Sequence, residues 1–240
     1  MDICGEEKSE SESEKLLGIV VNSIATFKNH LYGDKENAGL MKQLSTRVAM
    51  LKKLKKFIPP VKLKTIMEGM FSSKLTYGMS VWGRIWDIPG SLDEMADVRT
   101  SPSLTKEDAR KLQVMQNKCL RILTNMEYGT PTKTLLEKTK LLSVHQQMAQ
   151  VSLCQVYNVY TTRLPTYHHE RLFVNTYGRR PGDFSANRID FNRSIARTHF
   201  FYQSSRLWSA IPDFIKSAGN KQDFKKKCKT WVQNNISVKP

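Results

Sequence analysis

Cysteines are few in this 240-residue chain, and no two of them stand in a CxxC spacing. Cys4, Cys119, Cys154 and Cys228 lie far apart, which excludes a zinc knuckle or a disulfide framework and leaves reduced, mostly buried thiols. No apolar run approaches the ~20 residues that span a bilayer. The opening residues, MDICGEEKSESESE, lack the basic-then-apolar order of a secretory leader. The expectation is an intracellular protein, nuclear or cytoplasmic, not secreted and without a membrane partner.

Catalytic groupings are equally scarce. Two-carboxylate Mg²⁺ chemistry needs acids held close together, yet no Asp-Asp pair occurs, and Glu94 and Asp97 sit in text that reads as surface loop. No GxxxxGK[ST], GxGxxG or GxSxG is present, which removes the usual phosphate-cradling loops and the nucleophile elbow. His168-His169-Glu170 begins like a zinc-protease HExxH, but position 173 is Phe, so both histidines read as polar helix-surface residues. No catalytic residue, metal site or cofactor is expected.

The absence with the most consequence is that of acids between Glu36 and Glu68. Eight cations fall in that span: Lys42, Arg47, Lys52, Lys53, Lys55, Lys56, Lys62 and Lys64. A solvated helix face ordinarily mixes both signs as i,i+4 pairs. At about 100° per residue, Leu44, Val48, Leu51, Leu54 and Ile58 collect on one side of a helix, and Lys42, Lys52, Lys53 and Lys56 on the other. The formal charge of +16 is uneven, since residues 1–14 carry six acids against one lysine. A field of that sign attracts phosphates, so the partners expected are RNA, DNA or an RNA-DNA hybrid. Lys225, Lys226 and Lys229 form a second, smaller patch. Trp82, Trp86, Trp208 and Trp231 are candidates for stacking on bases, although Trp208 and Trp231 stand at helical core spacing.

Periodicity predicts a mainly α fold: a helical hairpin, a C-terminal helical domain and one short N-terminal strand or hairpin remnant. The expected divisions are a disordered acidic tail over 1–14, a strand and two helices over 15–83, a linker over 84–104 and helices over 105–240. LLGIVVNS (16–23) reads as a buried strand. A helix over 34–57 ends at Pro59-Pro60, because proline lacks the amide hydrogen and clashes with the preceding turn, and a second runs on to Gly83. TKED from Thr105 and SVHQ from Ser143 are capping boxes, which gives His145 a structural place. Pro131, Pro165 and Asn220 open three further helices, and 175–190 reads as a basic loop. The helix after Ser143 is apolar around most of its girth and belongs at the centre of the second half. On the last helix Phe224, Cys228, Trp231 and Val232 face inward.

Four segments, LLGIVVNSIATFKNHL, KKLKKFIPPVKLKTIMEGMFSSKLTYGMSVWG, KLQVMQNKCLRILTNMEYGTPTKTLLEKTKLLSVHQQ and FFYQSSRLWSAIPDFIKSAGNKQDFKKKCKTW, together resemble the C-terminal part of reverse transcriptases encoded by jockey-like non-long-terminal-repeat retrotransposons. The resemblance implies the end of a polymerase palm at the LLG strand, a thumb in the helices after it, and a helical extension over 105–235. It implies that Lys52, Lys53 and Lys56 meet the phosphates of a template-primer duplex, and the charge reading adds Lys42, Arg47, Lys225, Lys226 and Lys229 to the expected nucleic-acid-binding residues. The family's aromatic-Ala-Asp-Asp motif precedes the LLG strand, where this sequence carries its acidic tail, so the expectation is a non-catalytic nucleic-acid-binding fragment. A polymerase core supplied in trans is a possible partner. The alternative is a helical scaffold whose basic helix docks on an acidic protein.

Overall fold

The computed structural model describes residues 13–22, 27–89, 104–173 and 200–239. The expectations for the tail over 1–12, the rest of the linker over 90–103 and the basic loop over 175–190 lie outside the described residues. The described chain is mainly helical with one short N-terminal hairpin, as periodicity predicts.

The hairpin corrects the reading of 16–23 as one buried strand. Strand β1 (Ser13–Leu16) pairs antiparallel with β2 (Ile19–Asn22), with Leu16 opposite Ile19. Leu17 and Gly18 between them have φ of 48° and 84°, and a two-residue turn with both φ positive has the twist that a hairpin needs. Val20 is the buried residue of the pair, while Leu17 is 90% exposed. Ser13 and Glu14, read as the end of a disordered tail, belong to β1.

The helix expected over 34–57 is shorter, and another helix precedes it. Helix α1 (Lys28–Tyr32) precedes a tight loop in which the Asp34 carboxylate accepts the amide hydrogens of Glu36 and Asn37, at 3.0 and 2.6 Å. Helix α2 (Leu40–Leu54) starts only after it. The loop is so close that a Cβ on Gly39 would stand 2.2 Å from the Gly33 nitrogen. Gly39→Ala is therefore expected to destabilise by about 2 kcal/mol or more through forced backbone movement, read as a lower midpoint in chemical denaturation.

The proline corner folds as expected, with Pro60 the first residue of α3 (Pro60–Met67). Helix α3 continues through one π-helical turn (Glu68–Ser72) into α4 (Ser73–Thr76), making a single rod with a bulge. The rod stops short of Gly83 because Gly78 takes φ +62°, and α5 (Met79–Trp82) restarts at a new angle. A side chain at Gly78 would meet Ile19 Cδ1 at 2.4 Å, so the break seats the hairpin against the rod.

Local capping rules set the second half. Thr105 and Asp108 form a reciprocal box at the start of α6 (Lys106–Thr124), and Ser143 and Gln146 do the same for α8 (Val144–Thr162). Each box satisfies two amide donors that a helix start leaves unpaired. Between them lies α7 (Thr132–Thr139), preceded by Pro131. Helices α9 (Thr166–Phe173), α10 (Phe200–Ala210) and α11 (Asp213–Lys216) follow. Last comes α12 (Lys221–Asn235), where the Asn220 side chain accepts from the Asp223 amide at 2.9 Å.

Helix α8 is the hub, packed by α4, α5, α6, α9, α10 and α12. One hydrophobic cluster runs from Leu31 to Ile236 and includes residues on both sides of position 100. The stretch from Arg84, read as surface loop, is buried at Arg84, Ile85, Trp86 and Ile88. Its backbone is tied down by side chains remote in sequence. The Ile85 amide donates to Gln203 Oε1 at 2.9 Å, and the Trp86 amide to His145 Nε2 at 2.9 Å. His145 Nδ1 in turn bonds the Ser237 carbonyl at 3.0 Å. Those two partners require the neutral imidazole with its hydrogen on Nδ1, and burial accordingly lowers the His145 pKa.

Candidate nucleic-acid interface

The amphipathic logic of α2 is realised. Leu40, Leu44 and Leu51 are buried, Val48 and Leu54 pack against the core from its margin, and Lys42, Lys52, Lys53 and Lys56 are exposed. The apolar stripe fixes the helix on α6, α1 and the following rod, which turns the lysine side to solvent. Among the described residues the ion pairs are Glu107–Arg110, Asp213–Lys216 and Asp223–Lys227. None engages Lys42, Lys52, Lys53 or Lys56, so no described carboxylate compensates their charge.

Arg47 departs from the expectation. On the wheel it lies about 140° from Lys42, and its half-buried guanidinium bonds the Gln43 carbonyl at 3.4 Å. Its neighbour is Lys74 of α4, whose pKa burial lowers, with Arg47 and Lys15 adding repulsion. Arg47, Lys74 and Lys15 thus make a separate cationic knot beside the hairpin. Lys55 points elsewhere as well, donating to Asn125 Oδ1 at 2.6 Å.

The structure also joins the two basic patches, which stand about 170 positions apart in sequence. Lys64 Nζ donates to the Thr139 carbonyl at 2.8 Å, and Lys229 Nζ to the Lys140 carbonyl at 2.7 Å. Both ammoniums sit on the C-terminal end of α7, where unsatisfied carbonyls and the helix dipole favour a positive charge. Burial and the closeness of Lys64 push the Lys229 pKa down, against the opposite pull of Glu68. A short cationic track therefore runs from Lys64 through Lys229 to Lys225 and Lys226. No sequence signal announced Lys64 as the link, because the contact spans 75 positions.

Beyond Lys229 the track enters a groove of about 910 Å³. Lys221, Lys225, Lys226 and Lys229 line one side, and the amides and hydroxyls of α8, α4 and the π-helical turn line the other. Lys225 and Lys226 are exposed and Lys229 half-buried, so this predicted patch is real and lies in a concavity. Lys221 is the member that sequence reading missed.

Base stacking by tryptophan is not available where it was expected. Trp82, Trp86 and Trp208 are 0%, 1% and 0% exposed. They are core, and Trp231 is half-buried against it. Phe57 is instead the aromatic beside the lysine face, 82% exposed at the proline corner next to an equally exposed Val61.

The remaining polar groups serve structure. A buried amide relay clamps α6 to α7 and α8. Gln113 bonds Gln116, Asn117 and the Val144 amide, Gln116 bonds the Leu142 carbonyl, and Asn117 bonds Thr132, all within 2.9 Å. Burial pushes the Cys119 thiol up to about 12, which makes it inert. The Cys228 thiol bonds Cys154 and is held protonated by that bond and by burial. The same bond, aided by Lys225 and Lys221, lowers the pKa of Cys154 on the groove wall. Among the described residues no three His, Cys, Asp or Glu side chains converge as metal ligands, and no helix is long and apolar enough to cross a membrane.

No protein family, curated protein or solved structure matches the chain.

Proposed function

We propose that this chain grips the phosphate backbone of RNA, DNA or their hybrid through the lysine face of α2. We infer that it is the thumb and helical extension of a jockey-like reverse transcriptase, acting as a binding unit without catalysis of its own. The observation that carries the reading is the face of Lys42, Lys52, Lys53 and Lys56, exposed and, among the described residues, without a carboxylate in ion-pair range. Four ammoniums of one sign on one helix repel one another and gain nothing from the fold, whereas a row of phosphates neutralises them and releases condensed counterions. Lys55 and Arg47, which the protein itself engages, stand outside that contact surface.

Fluorescence anisotropy of a labelled 20-base-pair duplex across a salt series is the test. Three to five contacted phosphates give a log-log slope of about −3 to −5. The expected order is appreciable affinity at ~50 mM salt and its loss at several times that concentration. Absence of binding at ~50 mM salt would overturn the proposal. Phosphate contacts carry no sequence information, so duplexes of different sequence are expected to bind alike.

A further inference from the structure

We propose that the groove between α12, α8 and the α4 end of the rod holds a single-stranded polynucleotide segment, its phosphates on the lysines and its base edges toward the facing amides. This rests on the nucleic-acid reading above and assigns the groove a strand that the α2 face does not take.

Three features point to a polynucleotide strand, the last two of them to an unpaired one. Lys229 is taken up by the Lys140 carbonyl, and the exposed Lys221 and Lys225 stand four residues apart on α12. At 1.5 Å per residue their stems are about 6 Å apart, the order of the step between successive phosphates of one strand. Next, apart from Glu68 the opposite side carries no charge, and it offers hydrogen bonds beside the apolar Leu141, Leu142 and Val151. Thr76, Gln155 and Asn158 line it, and the side chains of Gln155 and Asn158 have no hydrogen-bond partner among the described residues. A duplex keeps its base edges turned inward on each other, while an unpaired strand presents them to such a wall. Finally, a concavity of about 910 Å³ is of the size that encloses a small ligand, so it admits a few nucleotides and excludes a helix. Glu68 lies among the lining residues near Lys229, which places the end of the phosphate run short of that point. Lys227, turned away and paired with Asp223 at 2.8 Å, takes no part.

Cys154 makes the groove testable because its thiol lies on the wall. The full chain is treated with N-ethylmaleimide, which adds the Cys154 sulfur across its carbon-carbon double bond, and adduct formation at each cysteine is followed by peptide mass spectrometry. Saturating single-stranded oligo(dT) of twelve residues is expected to slow adduct formation at Cys154 at least tenfold, while a blunt duplex of equal length leaves it unchanged. Lys221→Glu with Lys225→Glu is expected to abolish the protection and to preserve duplex affinity. Both positions are exposed, and an unaltered melting temperature confirms the fold. Cys154 modified equally fast with and without oligo(dT), or protected equally by the duplex, would overturn the proposal. Because duplex affinity is read separately through α2, failure of the groove and failure of the general nucleic-acid reading give different results.

Discussion

Reversing charge at Lys52, Lys53 and Lys56 together is expected to weaken duplex binding by roughly 10²- to 10³-fold at ~50 mM salt and to flatten the log-log salt slope by about 2 to 3. The effect is large because each substitution removes a released counterion and places a carboxylate against a phosphate. It is expected to be specific because, among the described residues, these side chains have no ion pair or hydrogen bond. Surface changes of this kind ordinarily alter stability by no more than about 0.5 kcal/mol. The triple variant should therefore unfold at the same denaturant midpoint as the parent, or slightly higher, since mutual repulsion along α2 is relieved. Anisotropy titrations at several salt concentrations, with a parallel denaturation curve, supply both readouts. Unchanged affinity and slope would refute a phosphate contact at this face.

Acid is expected to loosen the fold between about pH 6.5 and pH 4, before carboxylates lose their charge. Burial, helped by the nearby Lys74 ammonium, lowers the His30 pKa to about 4. Its Nδ1 accepts the Val20 amide at 3.5 Å and its ring lies 5.8 Å from that of Trp82, so the neutral ring holds the hairpin to the core. His145 is shifted the same way by burial. In the unfolded chain a histidine takes its proton near pH 6.5. Between that value and the folded one the unfolded state binds more protons, so stability falls as pH falls. Below about 4 both states bind the proton at His30 and its loss is complete. One pKa unit is about 1.4 kcal/mol, which sets the His30 share on the order of 3 kcal/mol, with His145 adding to it.

Carboxylates act lower. Burial alone would raise the Asp108 pKa, yet hydrogen bonds from Thr105 and Tyr32 bring it below the usual aspartate value. Its contribution is present above about pH 4 and is lost only as pH drops further. Thermal melts at pH 7.5, 6, 5 and 4 are expected to show a steady fall in Tm. The fall should be much flatter in a His30→Gln, His145→Gln double variant, whose Tm at pH 7.5 is lower. Equal Tm at pH 7.5 and pH 4.5 in the parent would refute the assignment of both rings as buried neutral bases.

What was legible in the sequence is what short-range geometry decides. Thr105, Ser143 and Asn220 cap their helices because a side-chain oxygen and an amide three residues on are neighbours in any helix start. The corner at Pro59-Pro60 follows from a missing amide hydrogen, and the lysine face of α2 from a period of 3.6 residues. The helix over 34–57 is present but starts only at Leu40, because the Asp34 turn and the close approach of Gly33 to Gly39 outbid helical pattern before it. The strand over 16–23 failed because a turn at Leu17-Gly18 lets the same apolar residues pair with their own upstream neighbours.

The candidate site divides in the same way. Lys42, Lys52, Lys53, Lys56, Lys225 and Lys226 were readable as exposed cations, since exposure on one helix is a matter of angle. Which residues partner them was not, because Lys64, Lys140 and Lys229 meet only where three helices converge. Trp82 and Trp86 were offered for stacking for want of a short-range rule to bury them. They are enclosed by His30 and His145, which lie 52 and 59 positions away. By itself, then, the sequence determined the helices, their caps, the proline corner and the unbalanced charge, all of which depend on interactions within about four residues. Tertiary structure alone decided which tryptophans are core, that His145 is a neutral rivet between remote segments, and that Lys64 meets Lys229 at the edge of a groove. The reason is that packing couples residues by their distance in space, and no periodicity along the chain encodes that distance.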